Sequence, residues 1–533
     1  MNNTSELKTG IKESAFLFAI LGWSALGLVL SGLARNRSRL GIQFLFLSAG
    51  LCGLVGILYL GLELNSPISR FLFCLGIVML LVAIDCQRRQ FYDHLTIHLV
   101  NSAYLGVAFY FSWMQLIPEA FEHIALWEKI LPSSPTGFTM IILCLICLNF
   151  SYYLIYPILA KLLAIKKTWF SSLRNPFNLL FIRKSSDELF LFLVLTGLGL
   201  TTRIWNFTLG RVFYVGGGVT EEQSIPFLVS SALAQLDPLY SIAWIYGIIL
   251  FFQRDYRKSQ GQKLIGWITV LLVLLELFYQ VISGSKGRFA TFVIIPLAFA
   301  YYLANRRVSW PFFSLFGGVG TVSLTLIYPT LVLYRDQVAA TTAAFDPFTL
   351  ISKAWQDLLA LPWDKYVDLV LTPFNTAGPT EQVTTITSIV HFIDRLPIPP
   401  DYLWERLLWF WLPRFLSPGK LTAIPSNAIG RLTERLGPTD FTTSVIQTGP
   451  GELFIYYQLF GCLMMIIPGL LFRWFNEAAS PFRLYSHFRM AIFITFLPAM
   501  FGVLTGGFEA EVTGMVLRLA VVFVTLELVR LFT

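Results

Sequence analysis

Apolar residues along this chain come in runs of about twenty, separated by short clusters of arginine, lysine, proline and glycine. A helix of that length crosses roughly 30 Å of hydrocarbon at 1.5 Å per residue. Runs bounded by charges or turn residues predict thirteen spans, near 14–33, 41–62, 70–86, 95–116, 137–160, 189–206, 236–253, 264–282, 289–305, 310–333, 452–472, 489–505 and 512–529. The expected architecture is therefore all-α and polytopic. Residues 1–333 carry ten spans, 334–451 form one large extracytoplasmic loop, and 452–533 carry the last three.

The loop breaks the pattern. It is a mixed stretch rich in Thr, Pro, Trp and Arg, in which 348–361 and 381–393 read as helices. From Asp401 to Phe415, the rings of Trp404, Trp409, Phe410 and Trp411 stand beside Arg406 and Arg414. That mixture suits a helix lying at a membrane surface, rings toward lipid and guanidinium groups toward phosphates. Loops this long are functional or disordered, and the aromatic content argues against disorder.

Composition agrees with the spans. Hydrophobic residues make up 56% and charged residues 13%, against about 25% charged in a soluble domain. Basic clusters recur at every second loop: Arg35, Arg37 and Arg39; Arg88 and Arg89; Lys161 to Lys184; Arg254 to Lys263; Arg306 and Arg307; Arg473, Arg483 and Arg489; and finally Arg530. The bias of short cytoplasmic loops toward Lys and Arg then places the N-terminus outside and the C-terminus in the cytoplasm. Lys8 and Lys12 precede an apolar run with no small-residue cleavage site after it, so it reads as a retained first span. The net charge of +8 follows from topology and attraction to anionic lipid, and points to no nucleic-acid partner. Cys52, Cys74, Cys86, Cys144, Cys147 and Cys462 all fall in or beside apolar runs. Cys144 and Cys147 form a CxxC spacing, but in an apolar run with no histidine or second pair nearby these cysteines read as packing residues and not as metal or redox ones.

The charges that topology does not explain lie on the expected outer side. Ser283-Gly284-Ser285-Lys286-Gly287-Arg288 forms a turn before a span, where backbone N–H groups and two cations can meet an anion. Arg335 ends span ten beside Asp336, and Arg203 and Arg211 flank span six. The loop adds Arg395, Arg406, Arg414, Lys420, Arg431 and Arg435, while Arg518 stands inside span thirteen. An intramembrane charge costs about 2.5–3.5 kcal/mol on insertion scales, so Arg518 needs a partner or water; Glu509 and Glu511 are candidates, and could serve Arg288 instead. Arginine's planar fork binds phosphate bidentately, so Lys286, Arg288, Arg335, Arg395, Arg406, Arg414, Lys420 and Arg518 form a candidate binding set for an anionic lipid headgroup. His391, Asp394 and Glu452 are the candidate acid–base groups, His391 first, since proton removal from an attacking hydroxyl needs a group titrating near the working pH. Glu276 and Gln280, one helical turn apart, either line the same cavity or bond to neighbouring helices. No metal-ligand spacing is present, and no cofactor is expected.

Three segments resemble the repeat-unit polymerases of O-antigen and exopolysaccharide synthesis (the Wzy type). The Gly284-Ser285-Lys286-Gly287-Arg288 turn is similar to that family's Gly-Ser-Arg-Gly element, with Lys286 where arginine is commoner. Trp411-Leu412-Pro413-Arg414 through Pro418-Gly419-Lys420 resembles its Pro-Arg-x-x-x-Pro-x-Lys stretch, with Gly419 standing between Pro418 and Lys420. Gly449-Pro450-Gly451-Glu452 resembles its return into the membrane. The resemblance implies a metal-independent, GT-C-like glycosyltransferase of a bacterial inner membrane. Its donor would be a glycan on undecaprenyl pyrophosphate, its acceptor a hydroxyl of another lipid-linked repeat, and its partners a chain-length regulator and a flippase. The alternatives are a lipid-linked glycan transporter, which would hold the pyrophosphate without chemistry, and an O-antigen ligase. An exosortase-like peptidase needs an outward cysteine, which the outer loops lack.

Overall fold

The computed structural model describes residues 43, 46–54, 67–88, 90, 92–116, 127–164, 185–208, 227–252, 260–282, 296–297, 299–300, 318, 321–340, 347–376, 379–396, 426–436, 448–479 and 487–532. Among the described residues the regular structure is helical throughout, with no strand. Six helical segments are long and apolar enough to cross a membrane, and two shorter apolar helices cover Leu236–Phe252 and Thr325–Tyr334.

The first half runs α1 (Pro67–Gln87), α2 (Leu95–Leu116), α3 (Ser134–Phe150), a π-helical turn at Ser151–Ile155, α4 (Tyr156–Ala164), α5 (Ser185–Thr208), α6 (Phe227–Phe252) and α7 (Gln260–Ile282). These bounds fall within four residues of the expected spans, and coincide for 95–116, except that α6 begins at Phe227 and not near 236. The predicted span at 14–33 and most of 289–305 lie outside the described residues. A second π-helical turn, Ser323–Ile327, leads into α8 (Tyr328–Ala340). The loop contributes α9 (Pro347–Ala360), α10 (Trp363–Thr376), α11 (Pro379–His391) and α12 (Ser426–Leu432). The chain then forms α13 (Gly449–Tyr457), a 3-10 stretch at Gln458–Met465, α14 (Ile466–Ala479), α15 (His487–Thr505) and α16 (Phe508–Phe532). The two loop helices expected at 348–361 and 381–393 are thus α9 and α11.

One expected span differs in form. The apolar run 452–472 is broken: Gln458 takes φ 51°, and the chain tightens into a 3-10 stretch before α14. Gly461 lies against the backbone of Leu453, where a Cβ would overlap the carbonyl. Hydropathy cannot register this break because the residues on both sides of it are apolar.

α6 is the hub, packed by α5, α7, α15 and α16. Its residues Leu239 to Tyr246 are buried on every face, as expected of a helix that is apolar all round. Small residues set the approach distances: a Cβ on Gly199 of α5 would stand 2.6 Å from the Cα of Tyr240. Between apolar helices in lipid, such close backbone contact supplies the packing attraction. A second group joins α1, α2, α3, α11, α13 and α14, and α15 touches both groups.

Gly449, at the start of α13, sits on the backbone of α15 so that a Cβ would overlap the Val503 carbonyl. Gly449→Ala is therefore expected to cost about 1–3 kcal/mol by overpacking, seen as a lower thermal midpoint in detergent. Gly197→Ala on α5, where a Cβ meets nothing within 4 Å, should be neutral or stabilising by up to about 1 kcal/mol from helix propensity.

Candidate functional site

The organising element is α11, which belongs to the loop by sequence and to the bundle by position. Gln382 through Ile389 are all buried, and the helix packs on α2, α3 and α13. Val383, Ile386 and Ile389 are among them, and so are Thr384, Thr385, Thr387 and Ser388. Threonine tolerates this burial by bonding back to its own helix, as Thr387 Oγ1 does to Val383 O at 2.7 Å. Gly451 of α13 makes room for α11, since a Cβ there would stand 2.9 Å from Ile389 Cδ1.

The C-terminal end of α11 gathers the ionisable groups. His391 Nδ1 lies 3.2 Å from Ser133 Oγ, and its ring stands edge-on to Phe392 at 4.6 Å. Asp394 and Arg395 follow in an exposed 3-10 turn. Arg395 donates to Glu434, and Lys129 donates to the same carboxylate at 2.6 Å. Both cations also sit over the Phe392 ring, at 4.7 and 5.0 Å from its centre. Hydrogen bonds from Lys129 and then Arg395 hold the Glu434 carboxyl below the usual carboxylate range. Arg435 reaches inward and donates to Thr385 of α11; burial lowers its guanidinium pKa, opposed by the charge of Glu381.

Glu452 lies in the first turn of α13, buried, one residue beyond the glycine that contacts α11. Thr448 caps that helix by accepting from Gly451 N at 3.1 Å, and does so at φ 59°. A β-branched residue in the left-handed region is a sterically disfavoured arrangement, of a kind that clusters at functional sites.

Three of the expected site residues, His391, Asp394 and Arg395, thus share one end of α11, with Glu452 on an adjoining helix. Arg395 is not an isolated cation but one partner in an ion pair. Arg518 stands elsewhere, half-buried on α16, its guanidinium lying along Gly514 of its own helix. Lys286, Arg288, Arg406, Arg414 and Lys420 lie outside the described residues, and Arg335 is described only as part of the α8 backbone. Lys129, Ser133 and Glu434 are additions that no local sequence signal announces, because they are distant in the chain and meet only through packing. Among the described residues no group of three His, Cys, Asp or Glu is arranged to hold a metal ion.

Arg203, Glu276 and Gln280 resolve differently from a cavity lining. Arg203 bridges three helices, donating to Asp237 Oδ1 at 2.7 Å and to both Glu276 oxygens at 2.7 and 3.0 Å. Gln280 donates to Glu276 at 2.7 Å, and the rings of Tyr279 and Tyr240 flank the guanidinium at 4.1 and 4.9 Å. This is an interhelical clamp joining α5, α6 and α7.

The fold defines a helical protein with six segments capable of crossing a membrane. No family model, characterised protein or solved structure matches the chain.

Arg203→Leu would leave the Glu276 carboxylate buried without its cation. The expected cost is about 3–5 kcal/mol, with most of it recovered in Arg203→Leu/Glu276→Leu, because an apolar pair can replace a buried ion pair. Thermal unfolding of the two variants checks this.

Proposed function

We propose that the chain is a polytopic membrane glycosyltransferase that joins lipid-linked oligosaccharide repeats into polymer at the outer face of a bacterial inner membrane. In this reading thirteen helices span the bilayer in a GT-C-like arrangement, with the N-terminus outside and the C-terminus in the cytoplasm. The observation that carries it is the position of α11. A helix drawn from the long loop is buried among α2, α3 and α13; its end brings His391, Arg395 and Lys129 together, and Arg435 bonds to Thr385 at its middle.

Transfer from a polyprenyl pyrophosphate builds negative charge on the departing lipid phosphate. Cations already fixed in position stabilise that charge with little reorganisation, which is where electrostatic catalysis gains most. Glu434 orients Arg395 and Lys129, and an arriving pyrophosphate competes with its carboxylate for both. Lys286, Arg288, Arg335, Arg406, Arg414 and Lys420 complete the phosphate-binding set; Arg518, whose guanidinium lies along its own helix, is left out of it. His391, held through Nδ1 by Ser133, offers Nε2 to the acceptor hydroxyl, and Asp394 and Glu452 are the further acid–base candidates. The loop tryptophans stack on sugar faces, and the bundle holds the prenyl chain beside the site, so reaction follows a positioned encounter. The partners on this reading are membrane lipid, the undecaprenyl-pyrophosphate-linked glycan, a flippase that delivers it and a chain-length regulator.

The helix break at Gln458 favours a second reading, a transporter of the same lipid-linked glycan, since discontinuous helices line transporter sites. The two separate by product. Under the polymerase reading, Arg288→Ala and Arg414→Ala leave the protein inserted and folded but lower elongation by roughly 10²–10³, the cost of one lost charge-stabilising donor. Single lipid-linked repeats then accumulate at the outer face. Long polymer from either variant contradicts the assigned roles, and precursors trapped inside support transport.

A further inference from the structure

A buried network of ionisable side chains lies away from the α11 site, where α1, α2, the π-helical turn and α14 meet. Asp85 near the end of α1 is fully buried. Its Oδ2 lies 2.8 Å from His94 Nδ1, 2.9 Å from His98 Nε2 and 2.6 Å from the Tyr153 hydroxyl, which donates to it. On its other side His94 Nε2 lies 2.5 Å from Arg473 Nη1 of α14. Arg473 also donates to Glu477, one turn along its own helix, at 3.1 Å, and stands over the Tyr152 ring at 5.2 Å. Tyr156 donates to the other Glu477 oxygen at 3.3 Å. The π turn brings the consecutive Tyr152 and Tyr153 into this one network, a use of π-bulges that recurs at functional positions. Gly469 lets α14 press onto the turn, where a Cβ would overlap Ser151 Oγ.

The donor inventory fixes the protons. A guanidinium donates only, so His94 Nε2 must accept from Arg473. The ring is then neutral, with its single proton on Nδ1, given to Asp85. A second proton on His94 would set N–H against N–H and cation against cation at this contact. Arg473 has a ready alternative in Glu477, so it can leave His94 without losing its charge partner.

We propose that His94 is a proton-binding site whose occupancy controls attachment of α14 to the α1–α2 hairpin. With His94 neutral, the chain Asp85–His94–Arg473 ties the two together. With His94 protonated, the imidazolium stays with Asp85 while Arg473 turns to Glu477, and the tie opens. The other groups facing His94 are His98 of α2 and Tyr152 and Tyr153 of the π turn. A second bond to the same end of α2, from Asn476 to the Asp93 carbonyl, keeps α14 close enough to re-engage.

Burial holds His94 below the ordinary imidazole range; Asp85 opposes this, and Arg473 and His98 add to it. A base with a lowered native pKa binds fewer protons folded than unfolded, so the contribution of the tie rises with pH. It is complete above the ordinary value of about 6.5 and lost as pH falls below it.

Hydrogen exchange of the full chain in lipid nanodiscs tests this, read at 466–479 and corrected for intrinsic rates, with α6 as internal control. Wild-type protection is expected to fall about tenfold between about pH 8 and about pH 5, the window in which histidine changes charge. His94→Gln keeps one donor and one acceptor but takes no proton, so its protection should stay flat. His98→Gln should follow the wild type. A flat wild type overturns the proposal, as does a His94→Gln profile that falls like the wild type, or a flat His98→Gln. Should His94→Gln not fold, the wild-type and His98→Gln profiles still decide.

Discussion

A polar group buried inside this apolar bundle must find its partner within the protein, because the apolar side chains around it offer none. Much of the described structure follows from meeting that demand. Arg203 is answered by Asp237 and Glu276 across three helices, and Asp85 by two histidines and a tyrosine. Buried charge pairs are weak sources of net stability, but they are exacting about geometry. Each fixes the rotation and register of its helices against alternatives that would leave a charge alone. The glycines at 199, 449 and 469 act in the same direction, permitting one close approach that larger residues would prohibit.

The same demand gives α11 its significance. A helix carrying four hydroxyl-bearing residues and a glutamine along buried positions is a costly choice for a purely structural strut. Its interior placement joins this part of the loop to the bundle. On the proposed reading, substrate groups arriving along the membrane surface meet side chains supplied by the loop at this point. That juxtaposition is what a reaction between two lipid-linked molecules requires, and it is the physical basis of the polymerase reading.

Much of this was legible in the chain. Uninterrupted apolar runs located α1 to α7, α15 and α16, because the length of a span is set by the bilayer and hydropathy reports it directly. The amphipathic 348–361 and 381–393 segments were visible as helices for the same reason of pattern. The break at Gln458 was not, since it depends on one backbone torsion among apolar residues. Ion pairs were legible only as unpaired charges: Arg203 and Glu276 stood out, but their meeting depends on how α5, α6 and α7 turn about their axes. Arg473 reads in the sequence as a topology signal, which hides its part in the Asp85–His94–His98 network. Its signal was present nonetheless, in an aspartate and a histidine placed inside apolar runs.

The surface glycan of cells lacking this protein gives the most direct measure of the central claim. Resolved by gel, it should show the length ladder lost while single repeats remain at the outer face. A ladder of normal length in those cells, or precursors confined to the cytoplasmic side, would contradict it.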